Sequence, residues 1–187
     1  METYQVQQFS DNRNRIQNSS RKIIRALKIW RVLLPLLIVL VWVFLNHCPS
    51  DVQHEILPEF ARLPLPLTAR LMGLTVAMIP TGVTIYGLTV LIRLFTLYQH
   101  GKIFHSDNVH CLQILSIVLI YMCFIGMLTN TLMGIALTLH HPEGERILTF
   151  TIGSPDITLL IVGYILATIA RVMQEACKLQ EEQELTV

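Results

Sequence analysis

The sequence predicts an all-α integral membrane protein with four transmembrane helices, both termini in the cytoplasm, and a fourth helix that extends into the cytoplasm. Three observations predict it. First, 52% of the 187 residues are hydrophobic and only 14% are charged, against about 25% charged in a typical soluble domain; mean hydropathy is +0.53. Second, four runs are nearly free of charge: Val32–Leu45, Leu71–Ile92, Leu112–Leu139 and Ile157–Ala170. Third, lysine and arginine divide unevenly between the two sides that four crossings define. The N-terminal segment, the middle connection and the C-terminal segment hold eleven, and the other side holds three, Arg62, Arg70 and Arg146. Basic residues stay on the cytoplasmic side, which sets the orientation.

Residues 1–18 are polar, rich in Gln, Asn and Ser, and read as a flexible cytoplasmic tail; 19–187 read as one four-helix transmembrane domain. Ser19 or Ser20 can cap a helix through RKIIRALKIWRV, where Ile23, Ile24, Leu27 and Trp30 fall at helical spacing among basic residues. That pattern suits a juxtamembrane stretch lying against anionic lipid. A spanning helix needs roughly 20 residues. The shorter first and fourth runs therefore borrow from their flanks, giving spans at about 30–46, 71–95, 112–139 and 155–172 and a helical cytoplasmic tail at 173–187. A small-residue cleavage site does not follow the first run, which reads NHCPS, so it is expected to be retained as a helix.

In the first outer connection, VQHEILPEFARL is compatible with a short helix lying on the membrane surface. Pro80 is expected to kink the second helix, with Thr81 and Thr84 near the carbonyl it frees. In the third helix Gly126, Asn130 and Gly134 recur every four residues, a face for close helix packing on which the Asn seeks a partner. ILTFTI alternates as an extended piece would. Ser154-Pro155-Asp156 reads as a helix start, with Ser154 as N-cap and Asp156 complementing the helix dipole. Gly163 and Ala167 give the fourth helix a small-residue face, and Val172, Ala176 and Leu179 continue an apolar face beyond the membrane, with Arg171 and Glu175 placed as an i,i+4 pair.

Catalysis is not expected. The chain has no P-loop, GxSxG, HExxH or CxxC, and no carboxylate within a spanning run. No cofactor is implied. His47, His54, His140 and His141 fall outside, near acids, without a recognised metal-ligand spacing. The four cysteines are spread over both sides and the membrane, so no intramolecular disulfide is expected. The cytoplasmic pieces are too short for a DNA-binding domain, so direct nucleic-acid binding is not expected.

The stretches LIRLFTLYQHGKIFHSDNV and HHPEGERILTFTIGSPDITLLIVGYILATIARVMQEACKLQEEQELTV resemble the bacterial membrane family known as domain of unknown function 2975. Its second helix runs into an LxxLFxLYxxGxIF loop followed by NV, its third ends near an NPPGxR-like turn, and its chain closes on VMxEAxxLxxEneLTV. The matching positions are Leu94, Phe95, Leu97, Tyr98, Gly101, Ile103, Phe104, Asn108 and Val109. They continue through Pro142, Gly144, Arg146, Ser154 and Asp156. In the tail they are Val172, Met173, Glu175, Ala176, Leu179, Glu182, Glu184, Leu185, Thr186 and Val187. His105 stands where Ser or Thr is common, Gln113 where Arg is common, and His141 and Glu143 depart from the turn. The resemblance implies a membrane partner that holds or modulates a small Cro-type helix-turn-helix regulator.

The leading expectation is thus a non-enzymatic membrane protein with a cytoplasmic docking face. Tyr98–Phe104, the basic N-terminal helix and the EEQELTV tail would form that face. The tail folding back on the basic stretch, as internal structure, is an equal reading. A small transporter or channel subunit for an uncharged solute, working through Asn130, and an outer-face sensor are the alternatives. Expected partners are the lipid bilayer and the regulator; a homo-oligomer is left open. Within the middle loop, Gly101 can take the left-handed position that ends the second helix and Ser106 can cap the third, while Ile103 and Phe104 can pack back on the bundle.

Overall fold

The computed structural model describes residues 2–47, 64–101, 105–138 and 153–184, and the side chains among them of 19–47, 64–101, 105–138, 153–180 and 182. The described residues are helical and contain no strand. α1 spans Glu2–Phe44 and passes into a 3-10 turn at Leu45–His47; α2 spans Leu67–Gln99, α3 Ser106–Thr138 and α4 Ser154–Glu184. Each contains a stretch long and apolar enough to cross a membrane: Ser19–His47, Leu67–Gln99, Ser106–Thr138 and Ser154–Gln180.

The helices outlast their apolar runs because the flanks are good helix formers. No Gly or Pro occurs before Pro35, so the polar segment 2–18, read from composition as a tail, has helical backbone continuous with α1. The helix start expected at Ser19 or Ser20 is therefore absent; Ser20 is buried within α1. The surface helix expected for VQHEILPEFARL and the extended ILTFTI lie outside the described residues.

The chain divides into two compact units. One takes α1 up to Arg31, α2 from Ile85, α3 up to Ile120 and α4 from Leu160; the other takes the remaining parts of the four helices.

In the second unit the core is Trp42, Leu45, Leu65, Ala69 and Leu137, with Ile38, Leu74 and Met133 against it. The Trp42 indole lies directly over Gly73, in the space a side chain there would need. Two polar devices tie the end of α1 to the start of α2. The Asn46 amide meets the Leu65 backbone twice, Nδ2 donating to the carbonyl and Oδ1 accepting from the N–H, both at 3.1 Å. Arg70 donates from Nη1 to the Val43 carbonyl at 2.9 Å, satisfying one of the C-terminal carbonyls that α1 leaves without an amide.

α2 continues through Pro80. The carbonyl deprived of its amide is that of Val76, and the two threonines expected near it bond elsewhere. Thr81 Oγ1 donates to the Ala77 carbonyl at 2.7 Å and Thr84 Oγ1 to that of Pro80 at 2.9 Å.

α4 begins one residue earlier than the sequence suggests. The Gly153 carbonyl accepts from Asp156 N at 3.1 Å and Ile157 N at 3.4 Å. Gly153 is thus the N-cap and Ser154 the first helical residue. Asp156 reaches back, its Oδ2 accepting from Gly153 N–H at 2.9 Å, the carboxylate arm of a capping box. That carboxylate lies against Gly126 of α3, where a Cβ would stand 2.8 Å from Oδ1. Gly134 is buried, whereas Asn130 is exposed and makes no side-chain hydrogen bond among the described residues. Asp156→Ala is expected to lower stability by about 1 kcal/mol, with Asp156→Asn losing less; equilibrium unfolding in mixed micelles measures the order.

Candidate functional site at the α2–α3 turn and the end of α4

The sequence motif is carried by the first unit. Leu94 is buried with Val90 of α2, Cys111 and Leu112 of α3, and Ala170 of α4; Leu97, Tyr98 and Met173 pack against them. Phe95 and Tyr98 meet edge to face, with centroids 5.9 Å apart and planes at 89°. Beyond them α2 tightens. His100 N–H is shared by the carbonyls of Thr96, at 3.2 Å, and Leu97, at 3.1 Å, and Gly101 N–H donates to Tyr98 O at 3.0 Å. Gly101 has φ +75°, the left-handed conformation that closes a helix. A Cβ there meets nothing within 4 Å. Gly101→Ala is therefore expected to cost only the backbone penalty, about 1–2 kcal/mol, and Gly101→Asn less. Thermal unfolding in detergent should rank them Gly, Asn, Ala.

α3 is capped by His105 rather than Ser106. The His105 carbonyl accepts from Asn108 N at 2.9 Å. Its Nδ1 lies 3.3 Å from the Asp107 N–H, which donates to it. His105 is therefore the N-cap, its imidazole nitrogen taking the place of a capping hydroxyl. Asp107 in the first turn complements the helix dipole. Asn108 and Val109 are both buried.

α4 presents opposite faces to the rest of this unit. Its buried positions here recur every seven residues, at Gly163, Ala170 and Cys177. At Gly163 a Cβ would lie 2.9 Å from Ile120 Cγ1 and 3.2 Å from both Leu119 Cβ and Ser116 O, so α3 passes close. Gln113 donates to Gln174 at 3.2 Å, joining the same two helices. The Gly163–Ala167 spacing understated this seam; Ala167 is only half-buried. The other face is open. Val172 is 67% and Leu179 61% exposed, and Glu175, Ala176 and Glu182 are exposed between and beyond them. Glu175 pairs with Lys178 at 3.1 Å, instead of with Arg171.

The structure thus packs Leu94 and Tyr98 with Cys111 and Leu112 of α3 and joins them to the tail motif through Met173; Phe95 meets Tyr98, Asn108 and Val109 are buried, and Gly101 is exposed. Glu175 and Glu182 stand apart on the exposed face. Ile103, Phe104, Leu185, Thr186 and Val187 lie outside the described residues, as does the side chain of Glu184. Sequence reasoning missed Cys111, Ala170 and the Gln113–Gln174 pair; the seven-residue recurrence in α4 was the available signal. On α1, Arg21, Lys22, Arg25 and Lys28 are exposed, with Ser20 and Ile24 buried. Among the described residues no three His, Cys, Asp or Glu side chains are grouped to hold a metal ion.

No curated protein and no solved structure matches the chain. Residues 50–187, which take in α2, α3 and α4, match the family described as "Protein of unknown function (DUF2975)", and the chain belongs to that family.

Proposed function

We propose that this is a non-enzymatic, multi-pass protein of the bacterial inner membrane that docks a cytoplasmic helix-turn-helix regulator on the end of α4. The observation that carries the reading is the exposed stripe of Val172, Ala176 and Leu179 flanked by Glu175 and Glu182. An apolar strip rimmed by acids, on a helix continuing past its apolar span, suits an amphipathic or basic protein surface. Large apolar side chains exposed along the helices, among them Val32, Leu36, Phe44, Tyr121 and Tyr164, support the membrane placement, since water tolerates no such surface. The excess of basic residues supports placing the termini and the α2–α3 turn in the cytoplasm.

Fusions of a cytoplasm-active fluorescent reporter and a periplasm-active phosphatase at Gly101 and at the C-terminus test the orientation. For docking, a photo-cross-linker at Leu179 should capture a helix-turn-helix protein in cells, and one at Tyr164 should not. Cutting the chain after Leu179 should weaken that capture. Failure to recover such a protein, together with solute flux in liposomes that disappears on Asn130→Leu, would instead establish the transport reading.

A further inference from the structure

The second unit carries an open-sided cavity of about 470 Å³, within the size range of small-molecule pockets, roughly 300–1,000 Å³. α1 contributes Leu34, Ile38 and Trp42 to its wall, α2 Ala77, Pro80 and Thr84, and α3 Thr129 and Met133. Two prolines lie at or beside its wall. Pro80 lines the cavity and Pro35 follows Leu34, which also lines it. A proline ring within a helix bends it and removes one backbone bond.

The lining carries no charged side chain. Its hydroxyls are not equivalent. Those of Thr81 and Thr84 are occupied by their own helix, at 2.7 and 2.9 Å. The Thr129 hydroxyl is buried and has no hydrogen-bond partner among the described residues. A buried polar atom without a partner is unfavourable and is relieved by any acceptor brought to it. An open-sided apolar cavity of this size suits apolar molecules.

We infer that this cavity binds an uncharged lipophile dissolved in the bilayer hydrocarbon, an apolar chain or ring bearing one accepting oxygen that receives the Thr129 hydroxyl. A phospholipid fits less well, because no wall residue offers its headgroup a charge. The inference goes beyond the docking reading and shares with it only the membrane placement, which the reporter fusions test separately.

The test uses the full chain in liposomes and three photoactivatable probes: a long-chain alkyl ketone bearing a diazirine, the matching alkane, and a phosphatidylcholine with a diazirine in its acyl chain. The ketone is expected to label Ala77, Thr84 or Met133 saturably, with unlabelled ketone competing. Ala77→Phe fills the cavity and should remove that labelling while exposed Tyr121 is labelled as before. Thr129→Val, close to isosteric, should weaken the ketone about fivefold and leave the alkane unchanged. Labelling confined to outward residues such as Leu36 and Tyr121 overturns the inference. So does wall labelling by the phospholipid probe that the ketone fails to displace, or an unchanged ketone affinity in Thr129→Val.

Discussion

Replacing Gly163 with leucine is expected to pull α4 away from α3 and to destabilise the fold more than any other single substitution in the first unit. The first atom of the new side chain already meets Ser116 O and Leu119 Cβ at 3.2 Å. One is backbone and the other is fixed to it, so neither can swing aside. Helices in lipid associate by close packing rather than by hydrophobic expulsion, so a displaced α4 loses the Ala170 contact with Cys111 and Leu112 as well as the Gln113–Gln174 bond. Overpacking costs about 1–3 kcal/mol, occasionally more, and leucine belongs at the upper end. Gly163→Ala should lose less, because its Cβ meets the same contacts but brings no further atoms against α3. Tryptic cleavage after Arg171 and Lys178 in liposomes reads the release of α4. Wild-type cleavage rates in Gly163→Leu would show that the seam does not hold this helix.

The second large effect changes sign with its background. Gly73 lies beneath the Trp42 indole, and the ring occupies the place of a Cβ. That ring is only 4% exposed and is fixed among Leu45, Leu65, Ala69 and Leu137. Gly73→Ala is expected to destabilise by about 1–3 kcal/mol, because the indole must shift within a filled core. In a Trp42→Leu background the space is free. There the same alanine should stabilise by about 0.5–1 kcal/mol, the helix preference for alanine over glycine. A double-mutant cycle measured by unfolding in mixed micelles gives both values. Equal effects in the two backgrounds would place the cost of Gly73→Ala outside the indole contact.

The four helices were legible because charge-free runs of sufficient length have few other uses. Their ends were less so. Hydropathy marks where a helix leaves lipid, whereas α1 and α4 run on through Arg, Lys, Gln and Glu, all good helix formers. The caps at His105 and Gly153 were each placed one residue late. A cap is fixed by which carbonyl takes the first helical amide, and Ser106 and Ser154 sit beside that residue. At Gly101 the sequence sufficed, since a left-handed residue ending a helix is most often glycine. Within the site, the aromatic turn could be read as a hairpin, but its junction with Ala170 and Met173 depends on antiparallel alignment of α3 and α4, which local spacing does not encode. The Trp42–Gly73 and Asn46–Leu65 contacts join distant positions and left no periodic trace. The exposed apolar face of α4 was visible as a pattern; only the structure separates it from the buried face of Cys177.

The paired hydrogen bonds between Asn46 and Leu65, with Arg70 reaching the end of α1, bear on how separable the chain is. The family match begins at residue 50, between α1 and α2. α1 is therefore fastened to the family region by an amide clamp and a guanidinium bond, as well as by the peptide that connects them. A chain expressed as two fragments, 1–49 and 50–187, loses the peptide but retains the amide clamp and the guanidinium bond. The fragments should reassemble in the membrane and co-purify, and Asn46→Leu with Arg70→Leu should part them. The first helix is then a detachable module, free to be exchanged for another helix that ends in the same amide.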